Sequence, residues 1–256
     1  MATKAHGRIV FWEGASLWVL GTRDGARYPR TAVHSHHALQ VTLALRGQFT
    51  LVDRERLVGG ASAAVAADTE HAFEGEGVVA HLFIDPDGRE GRQIAERLFV
   101  RQRVVTIEHA GLSGFGAEML SIFESGKPRD EDLVDCGRHL IGCLSGTELA
   151  ASTPDVRVRK MIEFASSGVE STVTLSDAAA VAGLSNGRAR HLFVEHTGLP
   201  FRVYVLWLRL MKAVQVYSTG ESLTEAAHAA GFSDSAHLSR TFRRMFGISA
   251  DSLRLM

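Results

Sequence analysis

From Arg8 to about Ile84 the apolar positions fall in short alternating or β-branched runs: "RIVFW", "SLWVL", "VTLAL", "FTLVD" and "GVVAHLFI". Glycine-containing turns at Gly21, Gly25, Gly47 and Gly59-Gly60 separate them. A period of two, broken this often, predicts a β-sandwich or barrel. From Gly91 onward the period turns helical, in "GRQIAERLF", "GFGAEMLSIFESG" and "DEDLVDCGRHLIGCLSG". Leu133, Gly137, Leu140 and Leu144 form one stripe, which would either pack on the chain's own barrel or make a seam between two copies. The small, polar stretch "GTELAASTPD" reads as a linker, and everything after it as helical. The expected fold is α+β: a sensor barrel over 1–90, connecting or dimerisation helices over 91–147, a linker at 148–155, and an all-α part over 156–256.

That last part contains a repeat. "LSDAAAVAGLSNGRARHLFVEHTG" at 175–198 returns as "LTEAAHAAGFSDSAHLSRTFRRMFG" at 223–247. Leu175, Ala178, Ala179, Ala182, Gly183 and Ser185 meet Leu223, Ala226, Ala227, Ala230, Gly231 and Ser233; Phe193 and Gly198 meet Phe242 and Gly247 after one extra residue. Leu-Ala-Ala-Ala at helical spacing gives a narrow face for close helix packing. Gly183 and Gly231 supply the left-handed residue that ends a helix, and Ser185 and Ser233 cap the next one. Each copy is therefore a helix-turn-helix. The apolar-rich "FRVYVLWLRLMKAVQVY" at 201–217 would join them as one long helix. Leu192 and Phe193, and Leu238, Phe242, Met245 and Phe246, face the core. Asn186, Arg188, Arg190 and His191, and Ser235, His237, Ser239, Arg240, Arg243 and Arg244, are left facing outward.

Composition changes the picture only through its asymmetry. The net charge of −1 divides into 16 Lys+Arg against 20 Asp+Glu before Asp155, and 12 against 9 from Asp155 on. The mildly basic end permits a polyanionic partner. Arginine can fork onto guanine, and Asn, Ser and His can bond base edges, so two such helices on one rigid connector suit successive major-groove segments. Lys212, Arg243 and Arg244, with the hydroxyls of Thr174 and Ser222, are suited to phosphate. The two cysteines, Cys136 and Cys143, lie seven apart on a predicted helix, too far for a disulfide. With no long apolar run, the chain is expected to be cytoplasmic, without a membrane partner.

Residues 156–256, above all "AAHAAGFSDSAHLSRTFRRMFGIS", resemble the DNA-binding domain of AraC/XylS-type transcription regulators. The resemblance implies base-reading positions at Gly187, Arg190 and His191 and at Ser235, Ala236, His237 and Arg240. It departs at Ala250, where the family commonly has proline before a final short helix.

In the first half, "VHSHHALQVTLALRG" places His34 and His36 on one face of an extended strand, with Gln40 on the same face and His37 opposite. His71 follows Gly60 by eleven residues. These stretches resemble the two motifs of the cupin barrel, so that His34, His36, Gln40 and His71 take the superfamily's ligand positions. Gln40 stands where a glutamate is usual, and Ala66 and Asp68 where proline and glycine are. Such a set would hold zinc, nickel, iron or copper, or else line a metal-free effector pocket that His81 also borders. The expectation is a non-enzymatic, sequence-specific transcription regulator of promoter DNA with a small-molecule or metal-sensing cupin domain. RNA polymerase and a second copy of the chain are the further partners considered. The alternative is a metal-dependent cupin enzyme fused to a DNA-binding domain.

Overall fold

The structure is a computed structural model and describes residues 5–22, 27–28, 30–53, 56–108, 112–125, 129–147, 155–247 and 250. All of the expected linker except Asp155, and the final short helix after Ala250, lie outside the described residues.

Among the described residues, eight strands make one antiparallel sheet. β1 (Ala5–Trp12) and β2 (Ala15–Thr22) form a hairpin. β3 (Arg27–Tyr28), β4 (Leu39–Asp53), β5 (Arg56–Gly60), β6 (Ser62–Val65), β7 (Ala72–Ile84) and β8 (Val104–Thr106) follow. The order is β1-β2-β7-β4-β6-β8, with β3 on β7 and β5 on β4. Two local expectations fail. "VTLAL" and "FTLVD" belong to one long strand, β4; instead of a turn at Gly47 there is a register shift between Ala44 and Arg46, after which Gly47 pairs with Gly77. β8 falls in a stretch expected to be helical, because three residues are too few to show a period.

Three helices, α1 (Arg89–Leu98), α2 (Leu112–Glu124) and α3 (Asp130–Ser145), share a core with the sheet. Leu133, Leu140 and Leu144 of α3 are buried in it beside Val10, Trp12, Leu17 and Met119. The stripe therefore packs on the chain's own barrel, the first of the two placements open to it.

The C-terminal part is all helix among the described residues: α4 (Val156–Ser167), α5 (Leu175–Val181), α6 (Asn186–Thr197), α7 (Phe201–Ser218), α8 (Leu223–Ala229) and α9 (Ser235–Phe246). α7, about 27 Å long at 1.5 Å per residue, contributes to two cores. Phe201, Tyr204 and Val205 at its start join α4, α5 and α6, while Trp207, Leu210, Ala213 and Tyr217 join α8 and α9. The second of these cores also takes Trp18 and Phe83 from the sheet and Ala38 from the loop before β4. Trp18 lies 5.3 Å from Phe246 and 6.0 Å from Phe242, and Phe83 lies 5.4 Å from Phe246. Each such pair is worth about 0.5–1.5 kcal/mol beyond its buried area. No helix among the described residues is long and apolar enough to cross a membrane.

Candidate nucleic-acid interface and histidine cluster

The two helix-turn-helix units are built alike. In the first, Gly183 (φ 66) follows α5, its N–H bonding Ala180 O while Leu184 N–H bonds Ala179 O. In the second, Gly231 (φ 74), His228 O, Phe232 N–H and Ala227 O repeat the pattern. Paired bonds of this kind close a helix on a left-handed residue. The next helix then starts at a cap. Ser185 caps α6 by accepting from Arg188 N, but α9 is capped by Asp234, whose carboxylate accepts from His237 N at 2.6 Å. Ser233, expected to be the cap, instead lies beside it and bonds Asp234 and His237 Nδ1. The extra residue of the second repeat is thus absorbed at the cap, and the offset between copies is 49 from there on. Thr174 and Ser222, expected at phosphate, cap α5 and α8; their hydroxyls are engaged with Asp177 and Glu225.

Asn186, Arg188, Arg190 and His191 are exposed on α6, as are Ala236, Arg240, Arg243 and Arg244 on α9. Ser235 and His237 are half-buried; the His237 ring packs edge-on against Phe232 at 5.2 Å. Gly187 is exposed with open space where a side chain would be. Beneath these faces Ala189, Leu192 and Phe193, and Leu238, Phe242, Met245 and Phe246, are buried. Both helices meet the sheet side of the molecule at their C-terminal ends. Gly198, after α6, accepts from Arg89 N at 2.8 Å, while Arg244 O and Met245 O of α9 accept from His37 N (2.7 Å) and Ala38 N (3.3 Å). The N-terminal ends, the part of a recognition helix that meets base edges, are left free of these contacts.

The histidines come together where those last two bonds are made. His34 is not in a regular strand: it makes an isolated bridge to His71, each N–H donating to the other's carbonyl at 2.9 Å, and Asp68 N–H donates to His36 O at 2.8 Å. Asp68, where the cupin resemblance expects glycine, lies in the left-handed region (φ 54), a conformation aspartate tolerates. One nitrogen from each of His34, His36 and His71 lies within 4.8 Å of the others. All three Nδ1 atoms sit on backbone carbonyls, those of Ala32, Ala38 and Thr69. Each Nδ1 therefore carries the proton and each Nε2 a lone pair. Burial first, then neighbouring histidines, push the His71 pKa down to about 3, and burial likewise lowers that of His36. Both rings are then neutral, the form that binds metal.

Two contacts test whether a cation fits. His71 Nε2 is buried without any hydrogen-bond partner, which for a polar atom in that setting costs about 1–3 kcal/mol. His36 Nε2 stands 2.9 Å from Gln40 Oε1, lone pair against lone pair. Turning the amide would present its N–H to the ring and its oxygen to Thr42; a cation shared by both lone pairs is the other resolution. The donor set fits a transition-metal cation. His81 is a core residue bonded to Thr42 Oγ1 at 3.1 Å, its pKa pushed down to about 3 by burial. His37 turns away to Asp68 (3.3 Å) and Asp87 (3.6 Å).

Residues 178–256 match a family model described as a helix-turn-helix domain. Curated relatives include the HTH-type transcriptional activator RhaS of Enterobacter sp. (strain 638), 34% identical over 101 residues that make 39% of this chain and 36% of that one. The transcriptional activator NphR of Rhodococcus sp. is 34% identical over 106 residues, 41% of this chain and 31% of its own. The matched region thus spans about a third of these relatives. Among solved structures, fatty-acid-bound ToxT from Vibrio cholerae aligns over 96% of this chain and 97% of its own, at 13% identity and a TM-score of 0.46. With its paired units, their caps and the match of residues 178–256 to that family model, the C-terminal part of the chain is a helix-turn-helix domain.

Proposed function

We propose that the chain is a sequence-specific transcription regulator in which α6 and α9 read neighbouring major-groove segments of promoter DNA and the N-terminal barrel takes an effector. The observation that carries this reading is the pair of similarly built helices whose apolar faces are buried and whose Arg-, His- and Asn-bearing faces are exposed. The chain's similarity to the transcriptional activators RhaS and NphR supports it. Selection of binding sites from a random duplex pool, followed by footprinting, is the test. The expected result is two protected half-segments about 34 Å apart, one helical turn. Equal binding to all sequences would overturn it.

A second reading concerns the effector. His34, His36 and His71, with Gln40 beside them, hold a divalent transition metal such as zinc, nickel, iron or copper, and the orphaned His71 Nε2 favours it. Such an ion would order the loops that carry its ligands. No carboxylate joins the three histidines among the described residues, so the cluster offers a metal-bound water no evident general base, which supports a sensor over a cupin enzyme. Elemental analysis of the chain purified without chelator should find metal near one per chain, and none in His71→Ala; a metal-free wild type would overturn this second reading.

A further inference from the structure

We infer that a divalent cation on His34, His36 and His71 and the docked position of α9 stabilise each other; this rests on the metal reading above. The loop carrying two of the three imidazoles is the surface on which α9 ends. Arg244 O and Met245 O are among the carbonyls that a helix C-terminus leaves without partners in its own ladder, and His37 N–H and Ala38 N–H satisfy them. The segment that follows His36 is thus the cap of the second reading helix.

Gly247 completes the junction. It ends α9 in the left-handed region (φ 74), beside the rings of His34 and His36. A Cβ there would overlap the His34 ring and stand 3.2 Å from His36 Cδ2. Behind it the rings run on without a gap: His36 is 5.4 Å from Phe83, and Phe83 5.4 Å from Phe246.

The sign of the coupling follows from two effects. Ligands of one cation at about 2.1 Å stand closer together than 4.8 Å, so binding must draw the rings inward and order the loop. With α9 docked, its backbone bonds already hold that loop, and less ordering remains; undocked, the cation must impose it all. The end of α9 also presents the negative pole of its helix dipole to the site, which favours positive charge there. Both effects make the docked state the tighter binder, and by reciprocity the cation strengthens docking by the same factor.

The test is hydrogen exchange of the full chain, free and with zinc(II), with zinc affinity measured by calorimetry. Zinc should slow exchange of the α9 amides and of His37 and Ala38 by about 5- to 150-fold, the usual range of such couplings. His34→Asn, at a half-buried position, should abolish the effect of zinc on α9 exchange. Tight zinc binding with α9 exchange unchanged or faster would overturn the coupling and leave the metal reading standing. No zinc binding by wild type would overturn both.

Discussion

At the scale of single residues, two of the three arginines on α9 are placed for different work. Arg240 is exposed one turn and a half into the helix, where a guanidinium can reach base edges, and Arg244 lies exposed in the last turn. Arg240→Ala should therefore lose discrimination at one or two base pairs, at a cost of about 1–3 kcal/mol. Arg244→Ala should weaken all sequences alike and lower the salt slope by about one. Competition titrations with matched and mismatched duplexes at two salt concentrations separate the two; a uniform loss in both variants would remove Arg240 from base reading. These outward positions were legible because the apolar residues of each repeat fix a helical face and leave the rest outside. The cap was not. Ser233 and Asp234 are both good capping residues and adjacent, and only backbone geometry decides between them.

That choice has consequences at the scale of the element. Asp234→Ala should destabilise α9 by about 0.5–2 kcal/mol, measured as a shift in urea midpoint, while Ser233→Ala should change little; the reverse order would return the cap to the serine. The two turn glycines should also differ. Both have positive φ, so alanine is strained at either, by about 1–2 kcal/mol. Gly183 has nothing within reach of a Cβ, whereas a Cβ on Gly231 would overlap the Val169 carbonyl. Gly231→Ala should thus lower the melting temperature clearly more than Gly183→Ala, and equal shifts would contradict the packing at Val169. Sequence showed that each turn needed glycine, since the repeat supplied it twice. It could not show that one turn packs against the α4–α5 connection and the other faces open space. β4 failed for a related reason: a glycine inside a strand signals a turn until its partner, Gly77, is known.

At the scale of the whole molecule, what the sequence concealed is that the two halves share a core. Phe242 and Phe246 read as inward-facing, and they are, but the interior they enter includes Trp18 and Phe83 of the sheet. Periodicity says that a side chain is buried and not against what. The same holds for Asp85, the residue that follows β7, on which periodicity is silent. In the structure it is buried, 3% exposed, and its carboxylate accepts from the Trp207 indole N–H at 2.8 Å and from Asp87 N at 2.9 Å.

This junction makes the union of the halves depend on pH, with a definite sign. Burial holds the Asp85 carboxyl above its ordinary value of 3.8, against the opposing pull of the Trp207 bond. A group whose folded pKa is raised contributes most below its unfolded pKa, and that contribution is lost as pH rises through the folded value. Asp85→Asn has no titration at this position. The stability of wild type relative to Asp85→Asn should therefore fall as pH rises from about 3.8 through the raised value, then level off. Urea unfolding of both proteins at a series of pH values reads it directly, since every other titrating group is common to the pair and drops out of the difference. A difference that rises with pH would mean that the Trp207 and Asp87 hydrogen bonds outweigh burial, and that the carboxylate is the form the junction holds.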